Sequence, residues 1–455
     1  ESLMHRLRVP AGILAIVFGL LLLPSMASAL NFQPGTGASQ SQVGQPSDVA
    51  TGDFNNDGLD DLAVASGPSS NNGLNVALAT GGGSFGPGTN LDCNHTGTGC
   101  FTVVAGQFTG GDSDLDLFAV PFQSNSQVLS FVGNGTGVFV RTSANAPTTP
   151  NTRESIAIGD LNGNSVDDIV FGASTGTYVV GIAQGPGTFS YSTGAIPGAG
   201  DFTSATMGDF NDDGDTDVAL GDNNDHIFVL LGDGGGGLTY TTSSENPAST
   251  AGGLNWVGSM VSADFNGDGR DDVGVTAEQG QQGHVSSVQT FLGTTDGNLV
   301  TNANPGGSVF SQTEDDSGPN TFSNLVTADF DQDGTAGDLA YLSVLRPNGP
   351  TVYQSSIRLS DGAGSFTAAA NSPFAYNQDI FMWGQAQGDF NGDGAPDLVG
   401  ASPGGGSCSG CGTPVLMSLA DVSTDPASME FGGVLTGTNS SATTLTINNN
   451  GAPTA

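Results

Sequence analysis

The sequence predicts an all-β ring, a seven-bladed β-propeller of four-stranded antiparallel blades, on three observations. An acidic loop, first met as GDFNNDGLDDLAVA at 52–65, recurs along the chain. Each copy is followed some way on by an alternating strand, a Gly turn and usually an aromatic, as in NVALATGGGSF and YVVGIAQGPGTF. Finally, the last copy lacks its end, and a matching piece stands at the start of the chain.

The near-copies are GDLNGNSVDDIV, GDFNDDGDTDVAL, ADFNGDGRDDVGV, ADFDQDGTAGDLA and GDFNGDGAPDLVG, with a degenerate GQFTGGDSDLDLFAV as the second of seven. Their first positions are Asp53, Gln107, Asp160, Asp209, Asp264, Asp329 and Asp389, spaced by 54, 53, 49, 55, 65 and 60 residues. One unit spells four strands: before the acidic loop, after it, before the Gly turn, and onward from the aromatic. Four strands at this period, with no helical periodicity, indicate propeller blades.

A closed ring must hide the edge between its last and first blades. The seventh unit stops at PVLMSLA, 414–420, without a Gly turn or fourth strand. The opening segment NFQPGTG supplies Phe32, Pro34, Gly35 and Thr36, matching Phe85, Pro87, Gly88 and Thr89 of the first unit. The N-terminal strand is therefore expected to complete the seventh blade.

Composition narrows the function. The chain has 72 Gly, no Lys and a net charge of -38, which argues against nucleic acid and anionic membranes as partners. The acid is concentrated: 26 of 39 Asp fall in the seven loops, whereas Glu occurs only six times. A merely solvated acidic surface would scatter Asp and use Glu as well.

Residues 1–29 read as an export signal, with Arg6 and Arg8 ahead of the apolar run Ala11 to Leu23 and a small-x-small pattern at Ala27-Ser28-Ala29. That run is short of the ~20 residues a membrane span needs. The expected locale is secreted or cell-surface, with no membrane insertion after cleavage. Four Cys lie as two local pairs, Cys93 with Cys100 and Cys408 with Cys411, read as loop staples. The second pair is also half of a zinc-site pattern, but no second half stands nearby.

The loops are spaced for a hard cation. Calcium takes about six to eight oxygens, and alternate residues of a tight loop can supply them. In the first loop Asp53, Asn55 and Asp57 stand at positions 1, 3 and 5, Leu59 offers a carbonyl at 7, and Asp61 closes at 9. The same positions hold Asp209, Asn211, Asp213, Asp215 and Asp217 in the fourth loop. They hold Asp264, Asn266, Asp268, Arg270 and Asp272 in the fifth, and Asp389, Asn391, Asp393, Ala395 and Asp397 in the seventh. The third, with Asp160, Asn162, Asn164, Val166 and Asp168, has Ser165 where Gly is usual and is expected to bind weakly. The sixth, with Asp329, Asp331, Asp333 and Thr335, carries one extra residue before its closing Asp338. The second is expected to be empty, giving five or six Ca2+ sites. An EF-hand is excluded because position 12 is never Glu, being Val64, Phe171, Leu220, Val275 or Gly400 in five of the loops. The bland alternative is an Asx-turn hairpin that binds nothing. Unscreened carboxylates about 4 Å apart repel by about 4 kcal/mol at an effective dielectric of about 20, which disfavours repeating such a loop for scaffold alone.

The D-F-N-x-D-G-x-x-D core with its trailing FGAS (171–174) or VGAS (399–402) resembles the FG-GAP/VCBS repeats of integrin-alpha-type propellers. The resemblance covers 30–420. It implies calcium in blade hairpins and an adhesion, lectin-like or scaffold role. Residues 421–455 resemble the start of an Ig-like choice-of-anchor D domain, too short to be whole, so the chain is expected to be a fragment of a longer reading frame.

No catalytic constellation is found. GASTG around Ser174 and GGSFG around Ser84 lie at repeat turns without a strand-turn-helix setting, and His95, His226 and His284 stand singly. The expectation is a non-enzymatic, calcium-binding adhesion or ligand-binding module whose partner is an unknown extracellular protein or glycan. The alternatives are a lyase-like carbohydrate-active propeller and a structural spacer. Any partner is expected on the face opposite the acidic loops, where Trp256, Trp383 and the insertion Ser308 to Thr321 fall.

Overall fold

The computed structural model describes residues 32–34, 37–39, 46–66, 73–93, 99–121, 126–142, 148–149, 155–173, 176–224, 226–247, 256–278, 285–303, 310–313, 324–335, 337–345, 352–376, 384–402, 412–418, 422–425 and 446–449. The export segment, Cys408 and Cys411, Trp383, and most of the 308–321 insertion and of 421–455 lie outside them. Among the described residues there are only strands and turns, and no helix long and apolar enough to cross a membrane.

Seven antiparallel sheets form the blades, each built on four strands; in the fifth and sixth a further short strand, Phe310–Thr313 or Phe374–Ala375, also pairs with the third. The third is the simplest: Ile156–Gly159, Asp168–Gly172, Thr177–Gly185 and Thr188–Ala195, paired in sequence order. The second strand of each blade lies inside the stack, covered on both faces by neighbouring blades. Asp61–Ser66, Asp116–Pro121 and Asp217–Asp222 are accordingly buried at every residue. That is why these strands read as continuous apolar runs rather than alternating ones. The first strands pack side by side all the way around, with Pro46–Gly52 of the first blade against Gly384–Gly388 of the seventh.

The ring closes as the sequence predicts. Phe32–Pro34 pairs antiparallel with Val415–Ser418, with Phe32 opposite Ser418, and becomes the outer strand of the seventh blade. A disulfide between Cys93 and Cys100, Cα atoms 5.7 Å apart, ties the end of the first blade to the start of the second. In the C-terminal segment, Val422–Asp425 pairs with Thr446–Asn449.

Blades are joined by a repeated contact. The residue at position 2 of each acidic loop is apolar and almost fully buried: Phe54, Phe108, Leu161, Phe210, Phe265, Phe330 and Phe390. Each meets the outer strand of the next blade or, for Phe390, the short Gly-turn hairpin of the first blade. Phe54 stacks edge-on against Phe139, Phe108 against Phe189, Phe265 against Phe366 and Phe390 against Phe85, all with centroids 5.5 Å apart. Phe32 takes this role against Phe330 at 6.4 Å, so the N-terminal strand supplies the aromatic as well as the pairing. Leu161 packs in one core with Leu238 and Tyr240, and Phe210 with Leu299. Burying a Phe contributes about 1.5–3 kcal/mol. The two signatures of the repeat, the Phe after the first loop position and the aromatic after the Gly turn, thus pair across blade boundaries.

Candidate metal centres

The acidic loops join the first and second strands, and in six of the seven, the second excepted, their backbone is nearly invariant. Positions 4 and 6 take left-handed conformations. Gly58, Gly214, Gly269, Gly334 and Gly394 serve at position 6, and Asn56, Asp212 and Gln332 manage φ of 54–61° at position 4. In the third loop Ser165 occupies position 6 at φ 63°, a conformation costing a non-Gly residue about 1–2 kcal/mol.

The Asp at position 1 holds the turn. In the fourth loop the two carboxylate oxygens of Asp209 accept N–H groups of Asp213 (3.2 Å) and Gly214 (2.8 Å). Asp53, Asp160, Asp264, Asp329 and Asp389 do the same in their loops. At position 3, Asn211, Asp331 and Asn391 accept the N–H of position 5. The position-5 side chains Asp57, Asn164, Asp213, Asp268, Asp333 and Asp393 accept the N–H of position 7, fixing Leu59, Val166, Asp215, Arg270, Thr335 and Ala395 in place. Positions 1 and 5 are thereby tied together in all six loops, and position 3 joins them in the fourth, sixth and seventh.

The closing Asp plays a larger part than a ligand role required. Each is buried, and its two oxygens accept two backbone N–H groups. Asp61 takes those of Phe54 (3.0 Å) and Ala79 (2.7 Å); Asp217 takes Phe210 (3.1 Å) and Gly232 (2.8 Å). Asp168, Asp272, Asp338 and Asp397 repeat the pattern. It persists in the second loop, where Asp116 accepts from Phe108 and Gly133. There the Gln107 amide donates to the carbonyl of Asp112, standing where the other loops have a carboxylate. The closing Asp therefore staples the second and third strands to the loop whether or not ligands surround it.

These staples are electrostatically uncomfortable. Desolvation, then neighbouring carboxylates, push Asp61, Asp272, Asp338 and Asp397 up to about 7 and Asp217 to about 6, against the hydrogen bonds that lower them. A divalent cation at the loop would hold them ionised.

Two observations test whether the loops fit calcium. Ligand oxygens of Asp329, Asp331 and Asp333 lie within 4.8 Å of one another, close enough for one ion to bridge. In the first loop Oδ1 of Asn55 is buried without a hydrogen-bond partner, a state costing about 1–3 kcal/mol unless a ligand takes it. Oxygen-only donors of this kind suit a hard cation. The loops differ, however. In the third and fifth, the Asn162 and Asn266 amides donate to the closing carboxylates (2.9 and 3.2 Å), and Arg270 pairs with Asp268.

Sequence reasoning missed the residue at position 8. Asp60, Asp167 and Asp271 reach into the preceding blade, where their Oδ2 atoms accept the N–H of Asp389, Gln107 and Asp209 at 2.8, 2.8 and 2.9 Å. The signal was the Gly before the preceding loop. A Cβ on Gly208, Gly106 or Gly388 would sit 2.6, 2.9 or 3.0 Å from the visiting carboxylate.

On the opposite face, His226 Nδ1 lies 3.3 Å from Asp222 Oδ2. Asp222 is buried and accepts the N–H groups of Gly200, Asn224 and His226, which makes it a turn staple. Trp256 opens the first strand of the fifth blade, opposite Glu278.

With this geometry in place, the comparisons with known proteins fall on the repeats themselves. The FG-GAP-like repeat family matches residues 111–171 and 209–275, and the FG-GAP repeat family matches 46–81. The chain carries FG-GAP repeats. Among solved structures it is similar to the BP39L lectin from Burkholderia pseudomallei, at 16% identity over 78% of this chain and 92% of that one, with a TM-score of 0.49. No curated protein matches it.

Proposed function

We propose that this FG-GAP propeller is an exported, calcium-stabilised binding module that presents an extracellular protein or glycan ligand on the face opposite its acidic loops. The observation that carries the reading is the repetition of one loop geometry in six of seven blades, with position 1 tied to position 5 and position 5 to position 7. Asp53, Asn55, Asp57, Asp209, Asn211, Asp213, Asp329, Asp331, Asp333, Asp389, Asn391 and Asp393 would hold the ions in the four best-formed loops. Calcium would supply positive charge against stacked carboxylates, bracing blade edges rather than reacting. The Gly turns share the loop face, since the Gly236 N–H bonds to the Leu161 carbonyl and the Gly364 N–H to the Phe265 carbonyl. The other face is left for a partner. A non-enzymatic role is favoured because the nearest approach to a catalytic pair among the described residues, His226 with Asp222, is accounted for by the turn it holds.

Two measurements test this. Asp213→Ala is expected to remove one calcium per chain by elemental analysis and Asp112→Ala none; equal losses would refute the loop assignment. Screening the exported chain against glycans and immobilised matrix proteins should then yield a ligand whose binding Trp256→Ala weakens without changing calcium content. Finding no ligand in that screen would favour the spacer reading, and turnover of a polysaccharide the lyase reading.

A further inference from the structure

Asp60 and Asp271 do more than fill the space beside a Gly. Each makes a two-point clamp on the first residue of the preceding loop. Asp271 accepts the Asp209 N–H on Oδ2 (2.9 Å), and its own N–H donates to the Asp209 carbonyl (2.8 Å). Asp60 grips Asp389 in the same way, at 2.8 and 2.9 Å, across the seam where the last blade meets the first. Both sides of the peptide frame that carries the position-1 carboxylate are thus fixed from another blade. The carboxylates of Asp209 and Asp389 are the ones that organise loops four and seven. Where the residue before the closing Asp is Leu115, Thr216, Gly337 or Pro396, the carboxylate is missing, and Pro396 also lacks the N–H.

We infer that Asp271 and Asp60 are positioning residues for the cation loops of the blades before them, making the fourth and seventh loops two-blade sites. The inference rests on the calcium reading above. Groups that orient a metal ligand without touching the metal typically change affinity about 10–100-fold when removed. They act here by holding the Asp209 or Asp389 backbone at the angle its side chain needs. The same clamp at Asp167 grips Gln107, which has no carboxylate to orient, so the molecule contains its own control for a purely structural role.

The experiment is a calcium isotherm, by calorimetry and by elemental content at graded free calcium, on wild type, Asp271→Ala, Asp213→Ala and the double variant. Asp271→Ala is expected to weaken one site about 10-fold while saturating calcium restores full content. In the Asp213→Ala background, where the fourth site is already lost, Asp271→Ala should cost no further calcium. An isotherm unchanged by Asp271→Ala overturns the inference. So does a further loss in the Asp213→Ala background, which would mean that Asp271 acts through its own loop. A wild-type chain that binds no calcium overturns both this inference and the reading it rests on. Should Asp271→Ala fail to fold, Asp60→Ala with Asp393→Ala makes the same cycle at the ring seam.

Discussion

The second and fourth loops share their anchors and differ in what stands between them. Both insert a fully buried Phe, Phe108 or Phe210, and both end in a buried Asp that accepts two backbone N–H groups. Only the fourth surrounds that staple with Asp209, Asn211, Asp213 and Asp215. The second has Gln107 and Thr109 at positions 1 and 3, and the Gln107 amide takes over as a neutral bond. The difference separates two jobs that the repeat motif runs together. The closing Asp builds the blade, while positions 1, 3 and 5 bring the charge that a bound cation would offset.

Chelation should expose that separation most strongly. Each occupied site adds RT ln(1 + [L]/Kd), about 2.7 kcal/mol at a hundredfold excess over Kd, and several sites act on one ring. EDTA is expected to lower the melting temperature steeply relative to millimolar calcium. Superimposable melts would show that the fourth loop is as empty as the second.

The staples come next in size. Asp116→Ala and Asp217→Ala each orphan two backbone N–H groups, worth about 1–3 kcal/mol apiece. In chelator the two variants should lose similar stability by denaturant titration, because the cation plays no part. With calcium, Asp217→Ala should lose more. A harmless Asp116→Ala would mean that the closing Asp matters only as a ligand.

Acidity sharpens the contrast further. In the unfolded chain these carboxyls titrate near 3.8, but in the folded ring Asp217 sits at about 6 and Asp61, Asp272, Asp338 and Asp397 at about 7. A raised folded value means that the native state binds the extra proton. The stabilisation is complete below the unfolded value and is lost as pH rises through 6–7. The chelated protein should therefore melt higher at pH 5 than at pH 8. Calcium should remove or reverse that slope, since it favours the ionised form. A chelated melt that rises with pH across this window would contradict the burial argument.

Much of this was legible in the sequence because the repeat states it seven times. Ring closure followed from matching Phe32 to Phe85, and the blade strands from spacing and turn residues. What stayed hidden were relations between repeats. Nothing within GDFNDDGDTDVAL says that Phe210 serves the next blade, or that Gly208 is small because Asp271, sixty-three residues later, needs the space. The closing Asp reads only as a ligand in the sequence because ligand and staple require the same residue type. Its two bonds to backbone N–H groups, and its survival beside Gln107, add the stapling role.

The smallest expected effect lies in the fifth loop, which departs from the fourth most sharply at position 7. Arg270 stands where the fourth has Asp215; its guanidinium pairs with Asp268, and its Nε donates to the Gly293 carbonyl at 3.2 Å. The side chain that would offer a cation its position-5 oxygen is thus already matched to an internal cation. Binding calcium there requires the pair to separate, or two positive charges to share one carboxylate. Partly exposed ion pairs are worth about 0.2–1 kcal/mol, so the penalty is less than about tenfold in affinity. Arg270→Ala should therefore tighten one site of the calcium isotherm by a few-fold without changing the number of ions at saturation. Asp215→Arg in the fourth loop should weaken one site by a similar factor. An Arg270→Ala variant that binds calcium more weakly would show that the guanidinium supports the loop rather than competing for it, and the fifth loop would then rank with the fourth.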